Sequence, residues 1–277
     1  MKLPAFLGGR RSKSSATPAS DKGKLPFVAE RLPEVAYNDN PIIERLVFIC
    51  GLHRSGTTLL ERMLTSQYEV SYLRATVPES EGQHMQSVYA AGLEFGGAGL
   101  FAFSQDMQRQ LSDLLSDPKE CRERILKEWS RFVVGDSATL IEKSPPNLTK
   151  IDWLRSVFPG SRFVIMTRDP RAAAGATRKW SHTPLSDLMR HWDRAHAIAL
   201  QEMRDEDCAT IRYEDLCDDP QGEIERIATF LDLTERDRSQ QLEERHASLT
   251  NSNAKYLKMH GTTRYGAGAW QNFGYAV

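Results

Sequence analysis

The chain has 277 residues, 40% of them hydrophobic, enough to bury the core of one main domain of ordinary size. Its 36 basic side chains against 37 acidic ones leave a formal charge of −1, which excludes the whole-surface basic field of a nucleic-acid binder, so any anion site must be local. Four cysteines without a C-x-x-C pair, and no run near the ~20 apolar residues of a membrane span, point to a cytoplasmic protein without a spanning helix.

Residues 1–40 contain GGRRSKSSATPASDKGK, rich in Gly, Ser, Pro and basic residues with little to bury, and are expected to form a disordered tail ahead of a single domain over 41–277. The short continuous apolar run 46–50 predicts a fully buried strand closed by Gly51, and the apolar spacing over 58–64 predicts a helix. No element is assigned over 79–99. Helices are expected at 104–115 and 119–133, and a strand at 139–143 closed by Ser144-Pro145-Pro146. Asn147 is placed as the cap of a helix over 148–158 that Pro159-Gly160 ends. A second buried strand, 162–167, leads to a helix starting at Pro170 and reaching Trp180. A long helix over 185–203, a strand at 209–213 and helices near 222–231 and 235–246 complete the series. Alternating strands and helices favour an α/β fold of three layers with a mainly parallel central sheet flanked by helices.

The first strand runs into Gly51-Leu52-His53-Arg54-Ser55-Gly56-Thr57-Thr58, nearly the phosphate loop G-x-x-x-x-G-K-[ST], with Thr57 in place of the lysine. A strand turning through glycines into a helix start offers backbone N–H groups and the positive end of the helix dipole to an anion. Without the lysine that neutralises β- and γ-phosphates, an arginine fork with threonine hydroxyls suits a sulfuryl group on a phosphosulfate better.

These residues resemble the 5′-phosphosulfate loop of sulfotransferases that use 3′-phosphoadenosine 5′-phosphosulfate (PAPS), in the Arg-containing branch of bacterial and tyrosylprotein-type enzymes. Glu142-Lys143-Ser144-Pro145-Pro146 resembles that family's KSP segment, 162–171 its 3′-phosphate strand and loop, and Arg212-Tyr213-Glu214-Asp215-Leu216 with Asp219-Pro220 a downstream strand-to-helix junction. The resemblance spans about 41–233. It implies a P-loop-like fold and transfer of a sulfuryl group from PAPS to a hydroxyl or amine, with no metal. It implies that Arg54, Ser55, Gly56, Thr57 and Thr58 hold the 5′-phosphate and sulfuryl oxygens, Arg54 also stabilising developing charge. Lys143 would neutralise the leaving group and Arg168 would bind the 3′-phosphate. The serine expected eight residues after Arg168 is Ala176 here, and Thr177 is a candidate replacement.

The general base falls in Val77-Pro78-Glu79-Ser80-Glu81-Gly82-Gln83-His84; Glu79 and Glu81 are preferred because Arg54 and Lys143 would order a carboxylate, with His84 and His53 as alternatives. Thr262-Thr263-Arg264-Tyr265-Gly266 resembles the cofactor lid of cytosolic sulfotransferases, which makes Arg264 a possible 3′-phosphate ligand, but the same letters fit a terminal helix and an FGY ending. Tyr213, Glu214 and Asp215 read as structural, and the tryptophans, among them Trp129, Trp153, Trp180 and Trp192, as core. The rival readings are a metal-dependent P-loop phosphotransferase or nucleotide kinase, with an acidic magnesium ligand at a strand end, and a non-catalytic nucleotide-binding module. Acceptor identity, whether small molecule, glycan or peptide, and oligomeric state are left open by the sequence; acceptor specificity is expected to lie in 79–103 and in the C-terminal region.

Overall fold

Strand β1 (Arg45–Cys50) lies in the middle of the sheet, flanked by β4 (Thr139–Lys143) on one side and β5 (Arg162–Thr167) on the other, both parallel to it. This computed structural model describes residues 27–237 and 249–277. Five of the six residues of β1 are buried, because helices cover both faces and an unbroken apolar run is what such a position demands. Leu46, Phe48 and Cys50 face a core shared with Trp129, Trp153 and Trp192, whereas Val47 and Ile49 face Leu60, Met63, Ile224 and Ile227. Each such fully buried side chain contributes about 1.5–3 kcal/mol.

The full order is β3-β2-β4-β1-β5-β6, with β2 (Ser71–Leu73), β3 (Val133–Val134) and β6 (Cys208–Arg212); every pairing is parallel except β2 with β3. The helices are α1 (Thr57–Gln67), α2 (Gln105–Leu114), α3 (Pro118–Trp129), α4 (Ile151–Val157), α5 (Pro170–Ser181), α6 (Leu185–Glu202), α7 (Tyr213–Asp218), α8 (Pro220–Leu231) and α9 (Ala254–Leu257). The three-layer α/β expectation holds. The connection after β1 leads towards β2 and that after β4 crosses over to β5, so the strand order reverses beside β1 and opens a crevice at the carboxyl ends.

Several boundaries differ from expectation for physical reasons. The helix expected to reach 133 ends at Trp129, since Val133 and Val134 pair with Leu73 and Tyr72 as an edge strand. Asn147 caps nothing; its amide donates to Glu142 Oε2 at 2.5 Å, and the chain makes a 3₁₀ turn (Pro145–Thr149) before α4. Strand β6 gives way at Tyr213 directly to α7. The expected tail divides: 1–26 lie outside the described residues, but 27–40 are tied down. Glu30 N donates to Thr76 Oγ1 at 3.1 Å, Thr76 N donates back to Glu30 O at 3.0 Å, and Asn38 N donates to Val133 O at 2.9 Å. The helix expected at 235–246 lies outside the described residues from 238 onward. No described helix is long and apolar enough to cross a membrane.

Candidate active site

The loop after β1 is packed onto the end of β5. A Cβ on Gly51 would stand 2.4 Å from the Met166 carbonyl oxygen, and one on Gly56 2.7 Å from Met166 Cε, so both glycines permit a close approach. Gly56 (φ 106°) and Arg54 (φ 67°) both occupy the left-handed region. An arginine there costs about 1 kcal/mol, and such strain collects at functional sites. Ser55 N donates to Leu52 O at 3.1 Å and closes the turn. Gly56 caps α1 without a side-chain acceptor, which leaves first-turn N–H groups and the positive dipole end available to an anion. The exposed Arg54 guanidinium makes no hydrogen bond among the described residues, and the fully buried Ser55 hydroxyl has no partner among them. Unfilled donors of this kind fit the phosphosulfate of PAPS.

The loop opens into a cleft of about 800 Å³ whose lining includes Arg54, Gly56, Thr57, Thr58, Arg62, Glu79, Glu81, Arg168, Ser252 and Lys255. With Pro145 and Pro146 after β4 and Tyr213 after β6 also lining it, the cleft takes residues just past the carboxyl ends of β1, β4, β5 and β6. Arg168 is 5% exposed: Nη1 donates to Arg54 O at 2.8 Å, Nε to Asn253 Oδ1 at 2.8 Å and Nη2 to Ser252 Oγ at 3.0 Å, and the guanidinium lies 4.1 Å above the Tyr213 ring. Arg168 therefore borders the cleft and also fastens its loop to 252–253.

Two predicted ligands sit elsewhere. Thr177 Oγ1 donates to His53 O at 3.3 Å, under the loop and away from the main cleft. Ala176, where a serine was expected, is buried on α5 against Tyr256 of α9. Arg264 is exposed and does not line the cleft; 262–275 turns back instead, with Trp270 and Phe273 against Trp192 and the Tyr275 hydroxyl donating to Glu214 Oε2 at 2.8 Å. Aromatic packing thus holds the end of this segment, while Arg264 stands outside the cleft. Ser252, Lys255 and Arg62 were missed: Ser252 and Lys255 reach the cleft only through tertiary packing, whereas Arg62 lies one helical turn after Thr58 on α1, a spacing the sequence offered.

On the opposite wall the base candidates separate. Glu79 (φ 48°) is exposed on a tight turn, and its carbonyl accepts from Lys143 Nζ at 2.9 Å. Glu81 is 6% exposed and lines the cleft; it accepts from Gln83 Nε2 at 2.6 Å and lies 3.8 Å from Lys143 Nζ and from His84 Nε2. Burial raises its pKa to about 7, against the lowering effect of Lys143 and Gln83, which poises it for proton transfer near neutrality. His53 and His84 are lowered to about 4, chiefly by burial and next by Lys143, which makes them weaker bases. Lys143 itself has 1% of its side chain exposed and does not line the cleft, so its ammonium is placed to hold the 79–81 turn. Trp180, expected in the core, is 50% exposed at the cleft, its ring edge-on to His53 at 5.5 Å.

Glu142, the acid at the end of β4, is 1% exposed and accepts from Gly82 N at 3.0 Å, Ser144 Oγ at 2.5 Å and Asn147 Nδ2 at 2.5 Å. It braces the 79–84 segment through Gly82 and does not face the cleft. Glu214 accepts from Asp169 N at 3.0 Å, Asn253 Nδ2 at 2.6 Å and the Tyr275 hydroxyl, in keeping with the structural role expected for it.

Comparison with known proteins agrees with this geometry. A model of the sulfotransferase family matches residues 47–237. Protein-tyrosine sulfotransferase A of Caenorhabditis elegans is 26% identical over 247 residues, covering 82% of this chain and 60% of the relative. The protein-tyrosine sulfotransferase of Drosophila melanogaster is 27% identical over 202 residues, 68% of this chain and 38% of the relative. The chain thus spans less than two thirds of either relative's length. The sulfotransferase domain of the Synechococcus PCC 7002 olefin synthase superposes with a TM-score of 0.53 at 17% identity, over 88% of this chain and 99% of that one, a likeness of fold. Because the matched stretch covers well over half of the chain and contains the loop, Glu81, Lys143, Arg168 and Tyr213 together, the chain belongs to the sulfotransferase family.

Proposed function

We propose that this chain transfers a sulfuryl group from PAPS to an acceptor hydroxyl. The observation that carries this reading is the Arg54 guanidinium, unpartnered among the described residues, at the uncapped start of α1, opening on the same cleft as Glu81. PAPS supplies the sulfuryl group, activated by its bond to phosphate. First-turn N–H groups of α1, Thr57, Thr58 and Arg54 hold the 5′ end, while Arg168, Ser252 and Lys255 border the place for the 3′-phosphate. Glu81 takes the acceptor's proton as the new S–O bond forms; the S–O bond to the bridging oxygen breaks, and adenosine 3′,5′-bisphosphate leaves with that electron pair. Arg54 offsets the charge that develops there. The relatives' names make a tyrosyl hydroxyl the first acceptor to try. The four free thiols, two of them buried, support a reducing compartment such as the cytoplasm.

A metal-dependent phosphotransferase is disfavoured by Thr57 at the lysine position and by the engagement of Glu142 in three hydrogen bonds. The decisive experiment is thermal-shift titration without magnesium, followed by turnover with PAPS and mass detection of product. Stabilisation by adenosine 3′,5′-bisphosphate and a sulfated product are expected. A response confined to ATP with magnesium would sink the proposal, and binding without product from any acceptor would leave a binding module.

A further inference from the structure

The carboxylate of Glu81 is anchored at one oxygen. Gln83 Nε2 donates to its Oε2 at 2.6 Å, whereas Oε1 makes no hydrogen bond among the described residues and lies 3.8 Å from Lys143 Nζ. The far end of the same amide is also fixed, because Gly92 N donates to Gln83 Oε1 at 2.9 Å. A backbone N–H can only donate, so the amide oxygen must face Gly92 and the NH2 must face Glu81. Gln83 is 4% exposed and lines the cleft. Its backbone is held without this side chain: Gly82 N donates to Glu142 Oε1 at 3.0 Å, Trp129 Nε1 to Gly82 O at 3.0 Å, and Gln83 N to Ser144 Oγ at 3.2 Å. Gly92 opens the 3₁₀ turn Gly92–Phe95, and Gly92, Leu93, Gly97 and Ala98 line the same cleft.

Resting on the sulfuryl-transfer reading, we infer that Gln83 is a positioning residue for that reaction: its amide fixes Glu81 Oε2, leaves Oε1 to take the acceptor's proton, and holds the base in register with the cleft wall at 92–98. A carboxylate without this anchor turns about its last bonds, and a misplacement of ~1 Å costs about 100-fold in rate. The amide also acts on charge. A hydrogen bond donated to the ionised form favours that form, so Gln83 offsets part of the burial that drives this carboxyl up. Of the other charged groups facing Glu81, Lys143 favours ionisation too, Lys150 attracts it from behind, and the carboxylates of Glu142 and Glu79 oppose it. His84, 3.8 Å from Oε2, is held neutral by burial. Among the described residues, Gln83 is the one group that hydrogen-bonds the carboxylate.

The test uses the whole chain with carbon-13-labelled glutamate, the Glu81 carboxyl signal being the one lost in Glu81→Gln. Gln83→Met keeps the bulk and removes both hydrogen bonds; Gln83→Glu keeps an acceptor for Gly92 N and sets a second carboxylate against Glu81. In both, the Glu81 carboxyl should titrate about one unit or more above its value of about 7 in the unaltered chain. Turnover of a tyrosyl peptide with PAPS should follow. In Gln83→Glu, kcat/KM at pH 7 should fall by about 10-fold, through kcat, and recover as pH passes the displaced limb. In Gln83→Met, kcat should stay about 10-fold low even above that limb, because the anchor is gone. The affinity for adenosine 3′,5′-bisphosphate should be unchanged in both. A side chain that only tied down Gly92 would leave the Gln83→Glu profile unaltered. That result, or a Glu81 titration that moves in neither variant, overturns the inference. If the unaltered chain does not bind the bisphosphate, the sulfuryl-transfer reading fails first; an unmoved titration with the bisphosphate bound defeats the assignment of Gln83 alone.

Discussion

Arg54 adopts a left-handed backbone conformation that a non-glycine residue enters at a cost, and its side chain is exposed and unbonded among the described residues. A residue so placed contributes little to the fold. Arg54→Ala should therefore reduce kcat by about 10²- to 10³-fold while the free energy of unfolding changes by less than ~0.5 kcal/mol; steady-state kinetics beside urea denaturation reads both. Glu81 makes the opposite kind of prediction. With its carboxyl raised to about 7 by burial, kcat/KM should rise as pH rises through 7, and Glu81→Gln should abolish that limb. The folded state binds this proton more tightly than the unfolded chain. Its stabilisation is thus present below the ordinary value of 4.5 and lost as pH rises through 7. Glu81→Gln should consequently resist urea better than the unaltered chain at pH 8, by on the order of 1–3 kcal/mol, and equal midpoints there would contradict the burial argument. The sequence preferred two glutamates, with His84 and His53 as alternatives, and could not tell the two apart, because they differ in burial: Glu79 turns out to solvent and Glu81 turns in.

At the scale of elements, the strands legible in the sequence were those buried on both faces. Runs such as 46–50 and 162–167 have no polar interruption, and β1 and β5 follow them almost to the residue. Strands β2 and β3, at one side of the sheet, are three and two residues long and were invisible for that reason. The phosphate loop was legible because its glycines are dictated by backbone contact. Ser252 and Lys255 were not, since they reach the cleft by packing of α9 on α5. Glu214 shows how such packing is held, by joining the start of α5, the stretch before α9 and the C-terminal segment. Tyr275→Phe removes the hydroxyl that Glu214 and Thr167 share, and should cost about 1–3 kcal/mol by urea denaturation. It should also weaken adenosine 3′,5′-bisphosphate, although Tyr275 does not line the cleft; unchanged affinity would show that Glu214 holds its other partners without it.

For the molecule as a whole, the donor end of the cleft gathers residues from loops far apart in the chain, so ligand binding must report on global stability. At a hundred times its dissociation constant, adenosine 3′,5′-bisphosphate should add about 2.7 kcal/mol to unfolding without magnesium, and calorimetry can read this. A further consequence comes from the seating of Gly51 and Gly56 on Met166. The anion cradle is made of consecutive residues, yet its shape is imposed by a strand more than a hundred positions later in the chain. Local sequence alone does not preform it. Closing so long a loop is slow and entropically costly, which places the cradle late in folding, once β1 has found both β4 and β5. The donor can then stabilise the finished molecule and slow its unfolding, but it cannot template its own site, so it should leave the refolding rate unchanged.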